Sequence, residues 1–156
     1  MKPLTDDEAY AKLAAYSARA EHCRADATLK LLQWGIGREA ADRIVRQLAD
    51  EGYLDDERYC RAFVRDKFRL DHWGKQKIAQ ALMAKHIPAA TYQPCLDAID
   101  QDDYLATLRT LLAAKQRSVR ADTDYDRRTK LIRFALGRGF EMEAILHCLA
   151  EADDGD

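Results

Sequence analysis

The sequence has little of the chemistry that builds turns between strands. Seven glycines and three prolines are spread over 156 residues, whereas an all-β fold carries turn residues at short, regular intervals. No apolar run approaches the roughly 20 residues that cross a membrane, and the first residues lack the apolar core of a secretion signal. These absences favour an all-helical cytoplasmic protein with no membrane partner.

Cysteine pairs and metal-ligand spacings are also missing. The four cysteines lie far apart and form no CxxC pair: Cys23, Cys60, Cys95 and Cys148. An oxidised scaffold packs its cysteines more densely in a shorter chain, so we expect reduced thiols. The four histidines are equally scattered: His22, His72, His86 and His147. No HExxH or comparable motif occurs, so we expect no metal and no cofactor.

Catalytic motifs are absent as well, since the chain has no GxxxxGK[ST] nucleotide cradle and no GxSxG nucleophile elbow. The carboxylate pair Asp55-Asp56 could act as a catalytic or metal-binding pair. It stands where a helix begins, however, and there carboxylates are stabilised by the dipole and by free N–H groups. Trp34 and Trp73 could stack on bases, although apolar flanks favour the core or a groove lining. We expect no enzyme activity.

A near-neutral net charge of −2 conceals two groups of cations that we predict to bind a partner. The first group is Arg61, Arg65, Lys67, Arg69, Lys75 and Lys77. The second group is Lys115, Arg117, Arg120, Arg127, Arg128, Lys130, Arg133 and Arg138. Any one of them could belong to a solvated helix face with partners at i,i+4. As groups they outnumber the nearby acids, which predicts a basic surface for phosphates or an acidic protein groove.

One short motif recurs at intervals of about 50 residues, which is typical of a helical array. Asp7-Glu8-Ala9-Tyr10 returns as Asp56-Glu57-Arg58-Tyr59 and, in a degenerate form, as Asp102-Asp103-Tyr104. Each copy opens a helical pattern. A second helix is predicted after each, over residues 26–34, 75–86 and 126–138, ending in a Gly or Pro stop with one apolar residue beside it.

A third helix closes each repeat, over residues 39–51, 89–99 and 141–150. Pro94 would break the middle one from inside, so that helix is expected to begin near Tyr92. The predicted fold is therefore all-α: an elongated, right- or left-curved array of three tandem three-helix repeats with about nine helices. The repeats are expected at residues 1–52, 53–100 and 101–152, followed by an acidic disordered tail at 153–156.

The segment that begins the second repeat resembles a known family. Gly52, Leu54, Asp55, Asp56 and Tyr59 match the signature of the RecX family, regulators of the bacterial recombinase RecA. Three further segments resemble family motifs in the expected order: Lys30 to Ile36, Gly74 to Ile78 and Leu131 to Phe140. The first repeat departs from the family pattern, because Cys23 occupies the usual helix-capping serine position and Ala20-Glu21-His22 replaces common arginines.

The resemblance implies a protein that lies in the groove of the RecA–DNA filament. It would inhibit the recombinase, ATPase and coprotease activities of RecA in homologous recombination, DNA repair and the SOS response. It also implies a monomer that touches single- and double-stranded DNA weakly. The two groups of cations would supply the contacts, with the first repeat acting as scaffold.

Two other functions fit the residues. The helix pairs could act as helix-turn-helix elements of a DNA-binding protein that works without RecA. No helix concentrates Arg, Asn and Gln into a base-reading face, however, and the net charge is slightly negative. A generic helical adaptor is the third possibility.

Overall fold

The computed structural model describes residues 3–154, and in this part of the chain it contains helices and no strands. The nine helices of residues 3–154 are α1 (Asp6–Arg19), α2 (Arg24–Gln33), α3 (Arg38–Asp50), α4 (Asp56–Arg69), α5 (Lys75–Ala84), α6 (Ala89–Asp97), α7 (Gln101–Ser118), α8 (Asp124–Gly137) and α9 (Met142–Asp154). The all-α prediction is confirmed. None of the described helices is long and apolar enough to span a membrane.

Side-chain caps explain where α1, α7 and α8 begin. Thr5 accepts the N–H of Glu8, whose carboxylate in turn accepts the hydroxyl of Thr5 at 2.9 Å. Asp100 and Thr123 accept N–H groups in the same way at the starts of α7 and α8. Each cap satisfies a donor that has no partner inside the helix.

The stops after α2, α5 and α8 share one backbone geometry. Ile36, Ile87 and Phe140 each donate the backbone N–H to the carbonyl five residues earlier, at 3.0, 3.2 and 3.1 Å. The residue before each has positive φ: Gly35 at 87°, His86 at 62° and Gly139 at 97°. This is the Schellman ending, which returns the chain over the last turn. All three apolar residues are buried, as the stop pattern predicts.

Pro94 lies inside α6, which begins at Ala89 and not near Tyr92 as predicted. Proline removes one donor from a helix, yet the helix is already established before Pro94, because the carbonyl of Pro88 accepts N–H groups from Thr91 and Tyr92. The N–H of Ala98 then reaches the carbonyl of Pro94 at 3.0 Å. The helix therefore forms on both sides of the proline, and the prediction of its start was wrong.

The end of the described chain also differs from the expected disordered tail. Asp153 and Asp154 form the last turn of α9, and Asp153 lies 3.7 Å from the guanidinium of Arg128. Residues 155 and 156 lie outside the described part. The acidic segment thus begins as helix, because the last turn continues an established ladder of hydrogen bonds.

The chain divides into two compact units. Unit 1 comprises the residues up to Phe63 together with Leu82–Tyr92, and unit 2 comprises Val64–Ala81 together with the residues from Gln93 onward. The boundaries fall inside α4, α5 and α6. The division into three repeats remains a prediction.

In unit 1, α1, α2 and α3 pack against one another around an apolar core. The core residues are Ala9, Leu13, Ala27, Leu31, Ile36, Ala41, Ile44, Val45, Leu48 and Leu54. The two stretches of unit 1 are joined by an ion pair, because the ammonium of Lys85 donates to both carboxylate oxygens of Asp26 at 2.9 Å. Cys23 and Cys60 are buried here and are not joined in a disulfide, and burial raises the pKa of Cys23 to about 11.

In unit 2, α7, α8 and α9 pack against one another in the same way. Tyr104, Leu108, Phe140 and Ile145 are almost completely inaccessible to solvent. Cys148 is also buried and free, and burial raises the pKa of its thiol. The repeated hydrophobic spacing of the sequence thus produces an apolar core in each unit.

Candidate functional site

The segment Gly52–Tyr59 forms the turn that leads into α4 and the first turn of that helix. Gly52 adopts φ of 85°, which lets the N–H of Tyr53 return to the carbonyl of Leu48 at 2.9 Å. Leu54 is 1% exposed in the core of unit 1. Asp55 then accepts the N–H of Arg58 at 3.0 Å and caps α4. Asp55 thus caps the helix as the sequence predicted, and a structural role for the whole signature remains a prediction.

Asp56 has a second structural role that the sequence did not indicate. Its carboxylate accepts the N–H of Arg24 at 3.0 Å, at the start of α2. Cys23 stands at the capping position of α2 and makes no side-chain cap bond. The missing serine of the first repeat is thus replaced by a carboxylate that comes from α4.

Arg58 links this segment to Glu21 by hydrogen bonds. Its Nε donates to Oε1 of Glu21 at 2.5 Å, and its Nη2 donates to the carbonyl of Gly52 at 3.1 Å. The residue was not among the predicted partner-binding cations. Glu21, which takes the place of a family arginine, is the residue that holds it.

In unit 2 the loop before α5 and the loop before α9 are joined backbone to backbone. Gly74 donates its N–H to the carbonyl of Arg138 at 2.8 Å, and Gln76 donates to the carbonyl of Gly139 at 3.0 Å. A Cβ on Gly74 would overlap the carbonyl group of Gly139. Only glycine allows this approach, so the two glycines fix how the adjoining side chains are placed.

Tyr104 supports this junction from α7. Its hydroxyl accepts the N–H of Lys75 at 2.9 Å and donates to the carboxylate of Glu141 at 2.9 Å. Its ring lies between those of Phe68 and Phe140, with centroids 5.8 and 5.1 Å away. Burial raises the pKa of Tyr104 far above its ordinary value. The phenol therefore stays neutral and keeps donating its proton to Glu141.

The junction brings two lysines against one tryptophan ring. The ammonium of Lys67 lies 4.7 Å from the ring centroid of Trp73, and that of Lys77 lies 4.5 Å from it. Both distances are within the range of a cation–π interaction. Lys67 also donates to the carboxylate of Asp71 at 3.0 Å. Trp73 is half-buried, so it lines the surface and does not enter the core.

A second aromatic ring in unit 2 is flanked in the same way. Lys115 Nζ lies 5.1 Å, and the Arg138 guanidinium 5.5 Å, from the ring centroid of Phe134. Nη1 of Arg138 also donates to the backbone carbonyl of Asp71 at 3.3 Å, which links the two aromatic groups. We name the combined surface the basic–aromatic ridge; it consists of Lys67, Trp73, Lys77, Lys115, Phe134 and Arg138.

The other predicted cations divide into those held by acids and those that are not. Ion pairs of 2.9–3.7 Å hold five of them: Arg61 with Glu57, Arg65 with Asp66, Arg127 with Asp124, Arg128 with Asp153 and Lys130 with Asp126. No carboxylate among residues 3–154 lies within ion-pair distance of the rest that are exposed: Arg69, Arg117, Arg120 and Arg133. Most of these are surface pairs, which screen the charge locally and stabilise little.

The first predicted repeat also pairs cations with aromatic rings, although the sequence pointed to it as scaffold. The ammonium of Lys12 lies 4.4 Å from the ring centroid of Trp34. Lys30 lies 5.0 Å from the centroid of Tyr16, which in turn stacks on His22 at 4.0 Å. No sequence motif marks these contacts, since they join α1 to residues that follow it.

No group of three or more His, Cys, Asp or Glu side chains in the described part of the chain could hold a metal ion. What this surface offers a partner is positive charge and aromatic faces. That chemistry binds and orients a charged or aromatic partner.

Comparison with known proteins gives consistent matches. The family model described as "RecX, second three-helix domain" matches residues 55–93, and "RecX, third three-helix domain" matches residues 101–149. "Regulatory protein RecX" of Halorhodospira halophila is 30% identical over 141 residues, covering 89% of this chain and 84% of the relative. A Thermus thermophilus protein of the same name is also 30% identical, covering 89% and 88%.

Two further matches define the extent of the similarity. The chain spans 58% of the Clostridium botulinum Eklund 17B protein "Regulatory protein RecX", to which it is 29% identical. The crystal structure of RecX from Lactobacillus salivarius superposes with a TM-score of 0.83 at 20% identity, covering 95% of this chain and 96% of that one. At that identity the superposition demonstrates a shared fold.

Proposed function

Because the chain belongs to the RecX family, we propose that it is a regulatory protein that binds the groove of the RecA–DNA filament and inhibits RecA. The activities it would reduce are those of the recombinase, the ATPase and the coprotease, in DNA repair and the SOS response. We further propose that it acts in the cytoplasm as a monomer and touches DNA only weakly.

The observation that carries this proposal is the basic–aromatic ridge in a chain of this family. A filament groove presents phosphates together with protein side chains, and the ridge offers charge and flat apolar rings side by side. Cations attract phosphates over a distance of about 10 Å in 0.1 M salt, while the rings bury apolar area on contact. Inhibition would then be steric and electrostatic, with no bond made or broken.

The rigid backbone around the ridge supports the same role. Lys77 and Arg138 are positioned by the Gly74–Gly139 junction, and Lys75 by the hydroxyl of Tyr104. Less side-chain and loop entropy is lost on binding when the contact residues are already ordered.

A titration tests the proposal. The protein is added to RecA on single-stranded DNA with ATP, and ATP hydrolysis and strand exchange are followed together. We expect both rates to fall as the protein is added, with binding to the filament much tighter than to the same DNA without RecA. Unchanged rates at saturating protein would refute the proposal.

The same titration distinguishes the proposed function from DNA binding without RecA. A helix-turn-helix-like protein acting without RecA would bind naked duplex as tightly as the filament and lose affinity steeply with salt. A generic adaptor would bind neither.

A further inference from the structure

We propose that the cavity where the ends of α7, α8 and α9 meet is a binding site for one nucleotide, which Asp153 partly occludes. The site lies in unit 2 and is independent of the basic–aromatic ridge. The proposal does not depend on any action on RecA, because it concerns binding by this chain alone.

The cavity has the size and lining of a small-molecule site. Its volume is about 500 Å³, which falls in the usual range of ligand pockets. Leu131 and Leu149, which are 3% and 8% exposed, supply apolar lining. Arg127, Arg128 and Tyr125 also line the cavity. Such a combination suits a ligand with one flat apolar part and one strongly anionic part.

Two guanidinium groups would bind the anionic part. The side chains of Arg127 and Arg128 are 38% and 44% exposed, so both can reach a ligand in the cavity. Arginine presents a planar fork that matches the oxygens of a phosphate.

Tyr125 would bind the flat part. The residue is 80% exposed, which is unusual for a large aromatic residue on a folded helix. A nucleobase stacks readily on an exposed aromatic ring, because every base has a π-face.

The acids in the cavity act as internal competitors. Asp153 lies 3.7 Å from Arg128 and Asp124 lies 3.4 Å from Arg127. Both carboxylates are well exposed, at 76% and 104%. Exposed pairs of this kind contribute little to stability, so a phosphate, with more oxygens and more charge, can replace them. In the absence of a ligand, Asp153 thus occupies the place that a phosphate would take. A nucleotide has to displace it, which lowers the affinity of the site.

Isothermal titration of the full chain at 0.15 M salt tests the site, with dTDP as the probe. Pyrophosphate lacks the base and thymidine lacks the phosphates, and we expect both to bind more weakly than dTDP. Arg128→Gln and Tyr125→Ala should each weaken dTDP binding about tenfold. Circular dichroism confirms that these surface variants are folded.

Asp153→Asn and Asp154→Asn form a matched pair that tests the competitor. Both remove one negative charge from the last turn of α9, and only Asp153 pairs with Arg128. We expect Asp153→Asn to tighten dTDP binding about threefold and Asp154→Asn to change it much less. Equal effects of the two, or an affinity that Arg128→Gln leaves unchanged, would overturn the proposal, as would no binding of dTDP at millimolar concentration.

A final competition experiment distinguishes a free nucleotide from a nucleotide within a DNA strand as the ligand of the site. The 5′-phosphorylated tetramer of thymidylate carries the same base and phosphate chemistry. If it displaces dTDP and loses affinity with Tyr125→Ala, the site takes a unit of a strand; if it does not displace dTDP, the site takes the free nucleotide.

Discussion

Gly139 lies so close to Lys77 that a Cβ on the glycine would overlap the Cβ of the lysine. Its φ of 97° belongs to a backbone region that other residues rarely adopt. The contact joins the loop before α9 to the first turn of α5 and thereby places a cation of the basic–aromatic ridge.

Gly139→Ala should therefore destabilise the protein by about 3 kcal/mol, through overlap and backbone strain together. Gly137→Ala, two residues earlier in α8, is the matched control. A Cβ there meets nothing within 4 Å, so alanine should raise the free energy of unfolding by about 0.5–1 kcal/mol. Urea unfolding measures both, and similar values for the two variants would contradict the close approach.

His86 takes the positive-φ position at the end of α5 that glycine takes after α2 and α8. Histidine tolerates this conformation better than most residues, but still at a cost. We expect His86→Gly to raise the free energy of unfolding by about 0.5–1 kcal/mol. His86→Ala should give no such gain, because alanine keeps the Cβ. Thermal unfolding of the two variants side by side checks this.

Asp56→Ala should destabilise unit 1, because the start of α2 loses its carboxylate acceptor. The expected loss is about 1 kcal/mol, the usual effect of removing a helix cap. Glu57→Ala is the control, since it removes an acid from the same turn of α4 and breaks only an exposed pair with Arg61. Asp56→Asn keeps an acceptor oxygen and should lose less. Hydrogen exchange at the Arg24 amide would report the change locally.

Stability should rise with pH in the range where His22 loses its proton. Burial is the main cause that lowers the pKa of His22 in the folded chain. The unfolded chain therefore binds more protons, with a pKa of about 6.5. The stabilisation is complete above that value and is lost as the pH falls through the folded pKa. His22→Gln should flatten the pH dependence of the unfolding midpoint between about pH 7 and 5.

The histidine ring can also be observed directly. A proton NMR titration should give a lower pKa for His22 in the native chain than in urea. A native pKa at or above the value in urea would contradict the burial argument.

Neutralising the cations of the basic–aromatic ridge should weaken the proposed inhibition of RecA. We expect the triple variant Lys67→Gln, Lys77→Gln and Arg138→Gln to need about tenfold more protein for half-inhibition. The control is Arg38→Gln, Arg43→Gln and Arg46→Gln, which removes the same charge from α3. An equal loss of inhibition in the two triple variants would show that the effect comes from net charge. It would exclude a specific contact through the basic–aromatic ridge.

The structure also refines which arginines to reverse in the third predicted repeat. Charge reversal at Arg127, Arg128 and Arg133 is predicted from the sequence to weaken filament inhibition and to leave helicity intact. Arg128 pairs with Asp153 of α9, whereas Arg133 has no carboxylate partner among residues 3–154. We therefore expect Arg133→Glu alone to reproduce most of any effect, and single variants in the ATPase assay will show it.

Local chemistry made the helices and their stops predictable. The apolar spacing located the second and third helices near their observed positions, and each apolar residue beside a stop is buried. The start of α6 was predicted wrongly, because a proline inside a helix removes a hydrogen bond and was expected to prevent helix formation before it. The burial of Tyr92 and Leu96 in α6 offsets one missing hydrogen bond.

The candidate site was predictable only in part. The sequence identified Lys67, Lys77 and Arg138 as members of two separate groups. Their association depends on backbone contacts between residues about 60 positions apart, which no local pattern encodes. The capping role of Asp56 toward α2 was missed for the same reason.

The two compact units overlap in the order of the chain. Unit 1 is complete only with Leu82–Tyr92, and these residues follow Val64–Ala81 of unit 2. During synthesis, therefore, residues 64–81 of unit 2 emerge from the ribosome before residues 82–92, which complete unit 1. Any single break of the chain between these stretches therefore divides at least one of the two units.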